Sequence, residues 1–264
     1  MQTNTYQGLK ITNQLQQLTK DNIVIEAALQ ISINKNPYTV VMRTPDNDID
    51  LIRGLLYAED IYKHKDSFKW NIEKEENNIP TIININIPKE QLGKGYLNKR
   101  TLLSVSSCGI CGKKELKDIQ VSGKKLSTKT AAAIAEIKDM FCKMGDLQNT
   151  FKATGGSHAA AIFNKNHKLL SIKEDIGRHN AVDKTIGDLL ENKNLKEARY
   201  LLVSGRVSYE IISKAFIAKI PIIIAVSACS SLAIDFAKEF GICLIGFTRD
   251  SKMTIYANTA SLKN

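Results

Sequence analysis

Two cysteines separated by two residues, Cys108 and Cys111, stand in the run Ser106-Ser107-Cys108-Gly109-Ile110-Cys111-Gly112-Lys113-Lys114. Gly109 and Gly112 free the backbone and the serines read as loop, so the pattern predicts thiols on an exposed, mobile segment. Lys113 and Lys114 place positive charge beside them, which favours the thiolate, the form that attacks a disulfide or persulfide sulfur. The same spacing is half of a zinc knuckle. A structural zinc needs a second ligand pair at short spacing, whereas Cys142, Cys229 and Cys243 are scattered singly among largely apolar residues, as core thiols are. A thioredoxin-like dithiol follows a strand and opens a helix, which Gly112-Lys113-Lys114-Glu115-Leu116-Lys117 matches poorly. Sulfur chemistry, zinc binding and incidental thiols are the readings these residues leave open.

A second group of residues suits anion binding. The runs Glu174-Asp175-Ile176-Gly177-Arg178-His179-Asn180, Ser204 to Ser208, Ser227 to Ser231 and Phe247 to Lys252 fall where strands hand over to helices or loops. Ligands of open α/β sheets bind at those carboxyl ends. Helix N-termini offer free N–H groups to phosphate, and Arg178, Arg206 and Arg249 add bidentate contacts. Thr154-Gly155-Gly156 lets backbone approach a ligand closely. His179 sits in a polar, charged run and suits a base or ligand, while His158 precedes an apolar strand, where a satisfied structural histidine is the commoner outcome. Asp183 and Lys184 follow Arg178-His179-Asn180 by one helical turn and are expected to face the same site. Four such loops together predict an anionic, nucleotide-like ligand. A zinc nucleobase deaminase wants His-x-Glu followed by Pro-Cys-x-x-Cys. Here the cysteines precede His158 and His179, and no proline precedes Cys108, so that chemistry is set aside.

The elements that must position these residues follow from periodicity. Residues 1–20 are polar and rich in Gln and Asn, and are expected to be a loose start with no apolar signal segment. Asn22 to Asn34 and Tyr38 to Thr44 predict two strands of a hairpin, and Pro45-Asp46-Asn47-Asp48 opens a helix. Ser67 to Asn78 predicts an exposed hairpin rim, Thr81 to Ile87 a strand, and Thr101 to Val105 a short one. Beyond residue 125 the rhythm changes. A helix over Lys129 to Met144, with Ser127 or Thr128 as cap, precedes strands at 159–163, 168–172, 200–203, 222–226 and 242–247. Helices at 181–190, 209–218 and 230–240 alternate with them, so Glu174 to Asn180 and Thr248 to Lys252 are left as loops. This alternation predicts an α/β layered sheet, with residues 1–125 a β-rich part ending in the C-x-x-C loop and 126–264 the α/β part.

The chain has 264 residues, is 43% hydrophobic and carries a formal net charge of +10. The lysines are dispersed and few aromatics interleave with them, so neither a stacking platform for single-stranded nucleic acid nor a nucleic-acid partner is expected. No apolar run approaches a membrane span. Five cysteines with no framework spacing fit a reducing compartment, and a cytoplasmic protein is expected.

The assembled motifs resemble the formate dehydrogenase accessory sulfurtransferase family, known as FdhD. The matching pieces are Ser106 to Gly112, Thr154-Gly155-Gly156-Ser157-His158, Glu174 to Lys184, Ser204-Gly205-Arg206-Val207-Ser208, Gly246-Phe247-Thr248-Arg249-Asp250 and Met42-Arg43-Thr44-Pro45. Asn34-Lys35-Asn36, Leu55 and Asp60 depart from the family pattern in the scaffold of the first half. The resemblance implies a cytidine-deaminase-like α/β layer with an added amino-terminal β-rich part, and a homodimer. It implies that Cys108 and Cys111 carry sulfur as a persulfide from a cysteine desulfurase to a molybdenum or tungsten bis(molybdopterin guanine dinucleotide) cofactor, bound as substrate for formate dehydrogenase. Cofactor contacts are expected from Thr154, Gly155, Gly156, His158, Asp175, Arg178, His179, Asp183, Lys184, Ser204, Gly205 and Arg206, and from Phe247, Thr248, Arg249, Asp250, Ser251 and Lys252, with no permanent metal. The competing class is a non-catalytic cofactor chaperone whose C-x-x-C is structural or binds zinc.

Overall fold

The computed structural model describes residues 2–13, 15–97, 123–126, 132–249 and 252–258. The expected strand at Thr101 to Val105, the Cys108/Cys111 pair, Asp250 and Ser251 lie outside the described residues.

The expected loose start is a hairpin of β1 (Thr3–Thr12) and β2 (Leu15–Val24), paired antiparallel from Thr3↔Val24 to Thr12↔Leu15. Threonine, tyrosine and isoleucine suit the pleat, but polar residues are mixed onto both faces, so no single apolar stripe announces the strands. β3 (Ala27–Ile33) and β4 (Asn36–Arg43) form the expected hairpin, turned by Asn34 and Lys35 at φ 52 and 67. The Asn34 amide donates to the Ile87 carbonyl at 2.7 Å, which holds that left-handed turn against the neighbouring chain. Helix α1 (Asp48–Ala58) starts with Asp48 and Asp50 at its positive end. β5 (Lys69–Glu76) and β6 (Ile79–Asn86) complete a four-stranded sheet in the order β4-β3-β6-β5. Alternate residues Leu29, Ile31, Ile33, Ile83 and Ile85 face Ile52, Leu55 and Leu56 of α1. Each such side chain, fully buried, contributes about 1.5–3 kcal/mol.

The second half runs α2 (Ile134–Asp146), α3 (Asn149–Thr154), β7 (His158–Asn164), β8 (Leu169–Asp175), α4 (Arg178–Glu191), β9 (Ala198–Val203), α5 (Tyr209–Ile217), β10 (Ile222–Ala225), α6 (Ser231–Phe240), β11 (Cys243–Arg249) and β12 (Lys252–Ala257). Its sheet has the order β12-β11-β10-β9-β7-β8, with β9, β10 and β11 parallel and β7, β8 and β12 joined antiparallel. Strand residues alternate between two cores. Ala160, Ile162, Leu201, Val203, Ile223 and Leu244 meet α4, α5 and α6 on one face. Ala161, Phe163, Leu202, Ile224 and Ile245 meet Ile137, Met140 and Met144 of α2 on the other.

Three boundaries differ from expectation. α2 begins at Ile134 with Ala133 as N-cap, and Glu136 Oε2 accepts from Ala133 N–H at 2.7 Å, so a glutamate replaces the expected hydroxyl cap of Ser127 or Thr128. α4 begins at Arg178, because His179 and Asn180 turn inward and find partners there. β11 runs on through Thr248 to Arg249 and returns as β12, where a loop was expected.

The two sheets meet through α1 and α4. A β-carbon on Gly54 would strike the Asp183 backbone, and one on Gly187 would strike the Asp50 backbone, so the helices cross main chain to main chain. The segment near the expected boundary at residue 125 is tied to the second half by Leu126 N–H donating to the Phe240 carbonyl at 2.8 Å.

Candidate functional site

β7 runs antiparallel to β9, so its first residue, His158, lies at the carboxyl edge of the parallel strands, with the end of β8 beside it. Ser204 and Val226 follow β9 and β10 at that same edge, and Phe247 lies near the end of β11. Backbone bonds lace these loops together: Ser204 N–H to Ala159 O, Val207 N–H to Ala228 O, Ser230 N–H to Val207 O and Phe247 N–H to Ser227 O, each 3.0 Å.

Ser204 Oγ accepts from Ala159 N–H at 2.9 Å and lies 3.4 Å from His158 Nδ1. Gly205 is closely packed here: an added β-carbon would lie 3.2 Å from His158 Nδ1 and 3.4 Å from Arg178 Cβ. The imidazole and the first turn of α4 therefore close on one glycine. Burial, then the Arg178 and Arg206 guanidiniums, hold the His158 imidazole below its ordinary range, so the ring is neutral at pH 7. Arg206 is exposed, and Arg178 is half-buried. Phe247 has φ 51, a left-handed conformation that an aromatic residue rarely adopts, and its ring is 50% exposed. The Thr248 hydroxyl is buried without a hydrogen-bond partner among the described residues. Arg249 and Lys252, both exposed, sit opposite each other at the end of β11 and the start of β12.

The Thr154-Gly155-Gly156 run ends α3, with Gly155 at φ 66 as its C-cap and Thr154 Oγ1 accepting from Gly156 N–H at 3.0 Å. The Glu174 carboxylate takes the N–H groups of Thr150 and Phe151 at 2.8 Å each and the Ser157 hydroxyl at 2.7 Å. Glu174 thus fixes this short helix against the start of β7.

Four of the expected site residues are buried and hold the scaffold under this edge together. Asp175 is wholly buried and pairs with Lys184 Nζ at 2.7 Å. It also accepts from Gly177 N–H, Asn180 Nδ2 and Thr44 N–H. Lys184 donates to the Thr44 carbonyl at 2.7 Å, so one ion pair ties α4 to the end of β4. His179 lies 3.0 Å from Ser208 Oγ through Nε2 and 3.3 Å from Glu210 through Nδ1. Asp183 receives the Lys214 ammonium on both oxygens at 2.7 Å. Lys214 and Glu210 escaped the sequence reading. Their signal is a lone lysine inside the apolar run Tyr209–Ile217, four residues after a glutamate.

Burial pushes the Asp183 carboxyl up from 3.8 to about 7, with Lys214 only partly offsetting it. Burial works against the Lys214 charge, but Asp183 and Glu210 outweigh it and hold the ammonium above its ordinary value. Between pH 3.8 and about 7 the folded chain binds the Asp183 proton more tightly than the unfolded chain does, so this group's contribution to stability falls as pH rises through that window. Asp183→Asn is expected to flatten the slope of unfolding free energy against pH there, as read from urea titrations. An unchanged slope removes Asp183 as its source.

Among the described residues no group of three His, Cys, Asp or Glu side chains is placed to hold a metal, and no helix is long and apolar enough to cross a membrane. Burial pushes the Cys229 thiol up to about 11, which makes it a poor nucleophile.

A profile of the FdhD/NarQ family matches residues 24–263. The chain is similar to the sulfur carrier protein FdhD of Mycobacterium tuberculosis, 38% identical over 247 residues that span 89% of this chain and 90% of that one. It is 40% identical over 247 residues to the protein of the same description from Picrophilus torridus, spanning 90% of each. A crystal structure from Desulfotalea psychrophila, described as a formate dehydrogenase accessory protein, covers 100% of both chains at 20% identity with a TM-score of 0.76, and so shares the fold. The mixed α/β architecture, the motifs at its carboxyl edge and this match over nearly the whole length agree, and the chain belongs to the FdhD/NarQ family.

Proposed function

We propose that this protein is a cytoplasmic sulfur carrier that passes persulfide sulfur from a cysteine desulfurase to the bis(molybdopterin guanine dinucleotide) cofactor of a formate dehydrogenase. The observation that carries the reading is the basic cluster at the carboxyl edge of the parallel strands. Arg178 and Arg206 lie beside a neutral His158 at the carboxyl edge, and the exposed Phe247 ring stands near the end of β11 in the same sheet. Guanidiniums suit pyrophosphate, an exposed aromatic ring suits a guanine, and a neutral imidazole donates or accepts without adding charge. The sheet order also supports a cytidine-deaminase-like layer carrying the β-rich amino-terminal part.

The chemistry balances without an external oxidant at loading. The Cys108 thiolate attacks the terminal sulfur of the donor's persulfide, the donor S–S bond breaks and the donor leaves as thiolate. For release, Cys111 attacks the inner Cys108 sulfur; a Cys108–Cys111 disulfide forms and hydrosulfide departs, so the two thiols supply the two electrons. The pair must be reduced again by a thiol before the next cycle. Intact mass after incubation with a cysteine desulfurase and cysteine tests the reading. A reducible gain of sulfur is expected; bound zinc with no sulfur uptake favours the non-catalytic chaperone.

The ligand half of the reading has its own test. Arg206→Ala, Arg178→Ala and Arg249→Ala are each expected to weaken guanosine diphosphate binding in calorimetry. A charge-assisted hydrogen bond contributes about 1.5–3 kcal/mol, so a loss of roughly ten-fold or more is expected at Arg206. Unchanged affinity in all three variants removes these residues from the site.

A further inference from the structure

Helix α5 opens at Ser208, yet that serine does not cap it. Serine is favoured at such a position because its hydroxyl accepts from an N–H of the first turn. Ser230 does this for α6, accepting from Ala233 N–H at 3.2 Å. The Ser208 hydroxyl turns instead to α4 and meets His179 Nε2 at 3.0 Å. Across the ring, His179 Nδ1 faces Glu210 Oε2 at 3.3 Å. A hydroxyl, an imidazole and a carboxylate thus stand in the order of a nucleophile, its base and the group that orients the base.

The tautomer follows from the partners. An ionised carboxylate only accepts, so the ring proton belongs on Nδ1, and Nε2 is left to accept from Ser208 Oγ. The Lys214 ammonium stands 3.6 Å from Glu210 Oε1 and places a positive charge beside the same carboxylate. The Nδ1 contact is at ion-pair distance and short of an aligned hydrogen bond; in free enzymes such contacts often tighten only when substrate is bound. His179 is buried, whereas Ser208 is half-buried, so the hydroxyl is the open end of the line. The positive end of α5 lies beside it, which favours negative charge developing on a carbonyl oxygen there. Arg206, exposed two residues before Ser208, and Arg178, next to His179, favour a substrate that carries an anion.

We propose that Ser208 and His179 hydrolyse carboxylic esters that carry an anionic group, with Glu210 as the positioning residue. Ser208 Oγ attacks the ester carbonyl as its proton passes to His179 Nε2. The bond to the alcohol oxygen breaks and the alcohol leaves with that proton. Water then attacks the acyl carbon, gives a proton to the same nitrogen, and Oγ leaves and takes it back as the acid departs. No electrons are exchanged with a co-reactant. Neither cysteine of the C-x-x-C pair takes part, so the proposal stands apart from the sulfur-carrier reading.

A fluorophosphonate reports on the serine directly: an Oγ–P bond forms, the P–F bond breaks, and His179 takes the hydroxyl proton as fluoride leaves. Full-length protein treated with diisopropyl fluorophosphate is expected to carry the phosphoryl group on Ser208, located by peptide mass spectrometry. Ser67→Ala, which removes an exposed serine of the first half, is expected to label as wild type does. With 4-nitrophenyl acetate the signal is the turnover above that of Ser208→Ala, to which the chain's thiols contribute equally. That difference is expected to fall roughly 100-fold or more in His179→Gln and in Glu210→Gln, whose amide can hold the ring in the other tautomer. Glu210→Gln is also expected to move the midpoint of the rate–pH profile to lower pH, because the imidazolium loses its partner; a merely structural glutamate leaves that midpoint in place. The carboxylate-bearing ester 3-acetoxy-4-nitrobenzoate is expected to exceed 4-nitrophenyl acetate in kcat/KM by about ten-fold or more, a preference that Arg206→Ala removes. An unlabelled Ser208 in the wild-type chain overturns the proposal and needs no variant to fold. So does wild-type turnover no greater than that of Ser208→Ala. Equal kcat/KM for the two esters overturns the substrate class.

Discussion

Cys108→Ala protein, incubated with a cysteine desulfurase and cysteine, takes up no reducible sulfur, whereas Cys111→Ala protein is loaded but fails to release hydrosulfide. This is the largest functional effect expected. Cys108 is the leading member of the pair, and in such pairs the leading thiol is often the more acidic. Cys111 is then expected to act as the resolving thiol, which loading does not need and release does. Lys113 and Lys114 lie nearer in sequence to Cys111, so the opposite assignment has a definite signature. Peptide mass spectrometry that finds the added sulfur on Cys111, with Cys108→Ala still loading, exchanges the two roles. A double variant that supports formate dehydrogenase as well as wild type does would end the persulfide mechanism.

Asp175→Ala is expected to be the most damaging single change in the described scaffold. It leaves Lys184 charged and wholly buried beside the Thr44 carbonyl, and it orphans N–H groups at Thr44 and Gly177. Breaking one partner of such a pair costs about 3–5 kcal/mol. For a chain of this size each kcal/mol lowers the melting temperature by about 2–4 °C, so a drop of roughly 6–20 °C is expected. The double variant Asp175→Asn with Lys184→Met is expected to recover much of the loss, because it removes the unpaired charge instead of stranding it. Calorimetric melting of the three proteins decides this, and a single variant within about 2 °C of wild type would contradict the role given to Asp175.

Parts of the chain with a strong apolar period were legible from sequence, among them the β3–β4 turn, α1, β6 and the alternation from β9 to β11. Their side chains face one core, and the period reports that. The β1–β2 hairpin was not legible, because Leu9, Leu18 and Ile11 share their strands with Gln, Asn and Lys and face no core within the described chain. The start of α4 read as loop for a related reason. His179, Asn180, Asp183 and Lys184 are polar, yet all are buried, and polarity was taken as exposure. The same inference turned Asp183 and Lys184 toward the site, when the fold spends them on Lys214 and Asp175. His158, Ser204, Gly205, Arg178 and Arg206 do gather at one edge of the sheet, because small and basic residues fall at the ends of its strands.

The crossing of α1 and α4 through Gly54 and Gly187 bears on how members of this family can be recombined. With main chain against main chain, neither helix tolerates even a methyl group at the contact, and Thr44 and Lys184 bond across the same seam. A chimaera that takes its first half from one relative and its second from another inherits two helices never fitted to each other. Grafts that carry α1 and α4 together keep that fit, and the strand-end loops after β9 and β10 remain exchangeable on top of it.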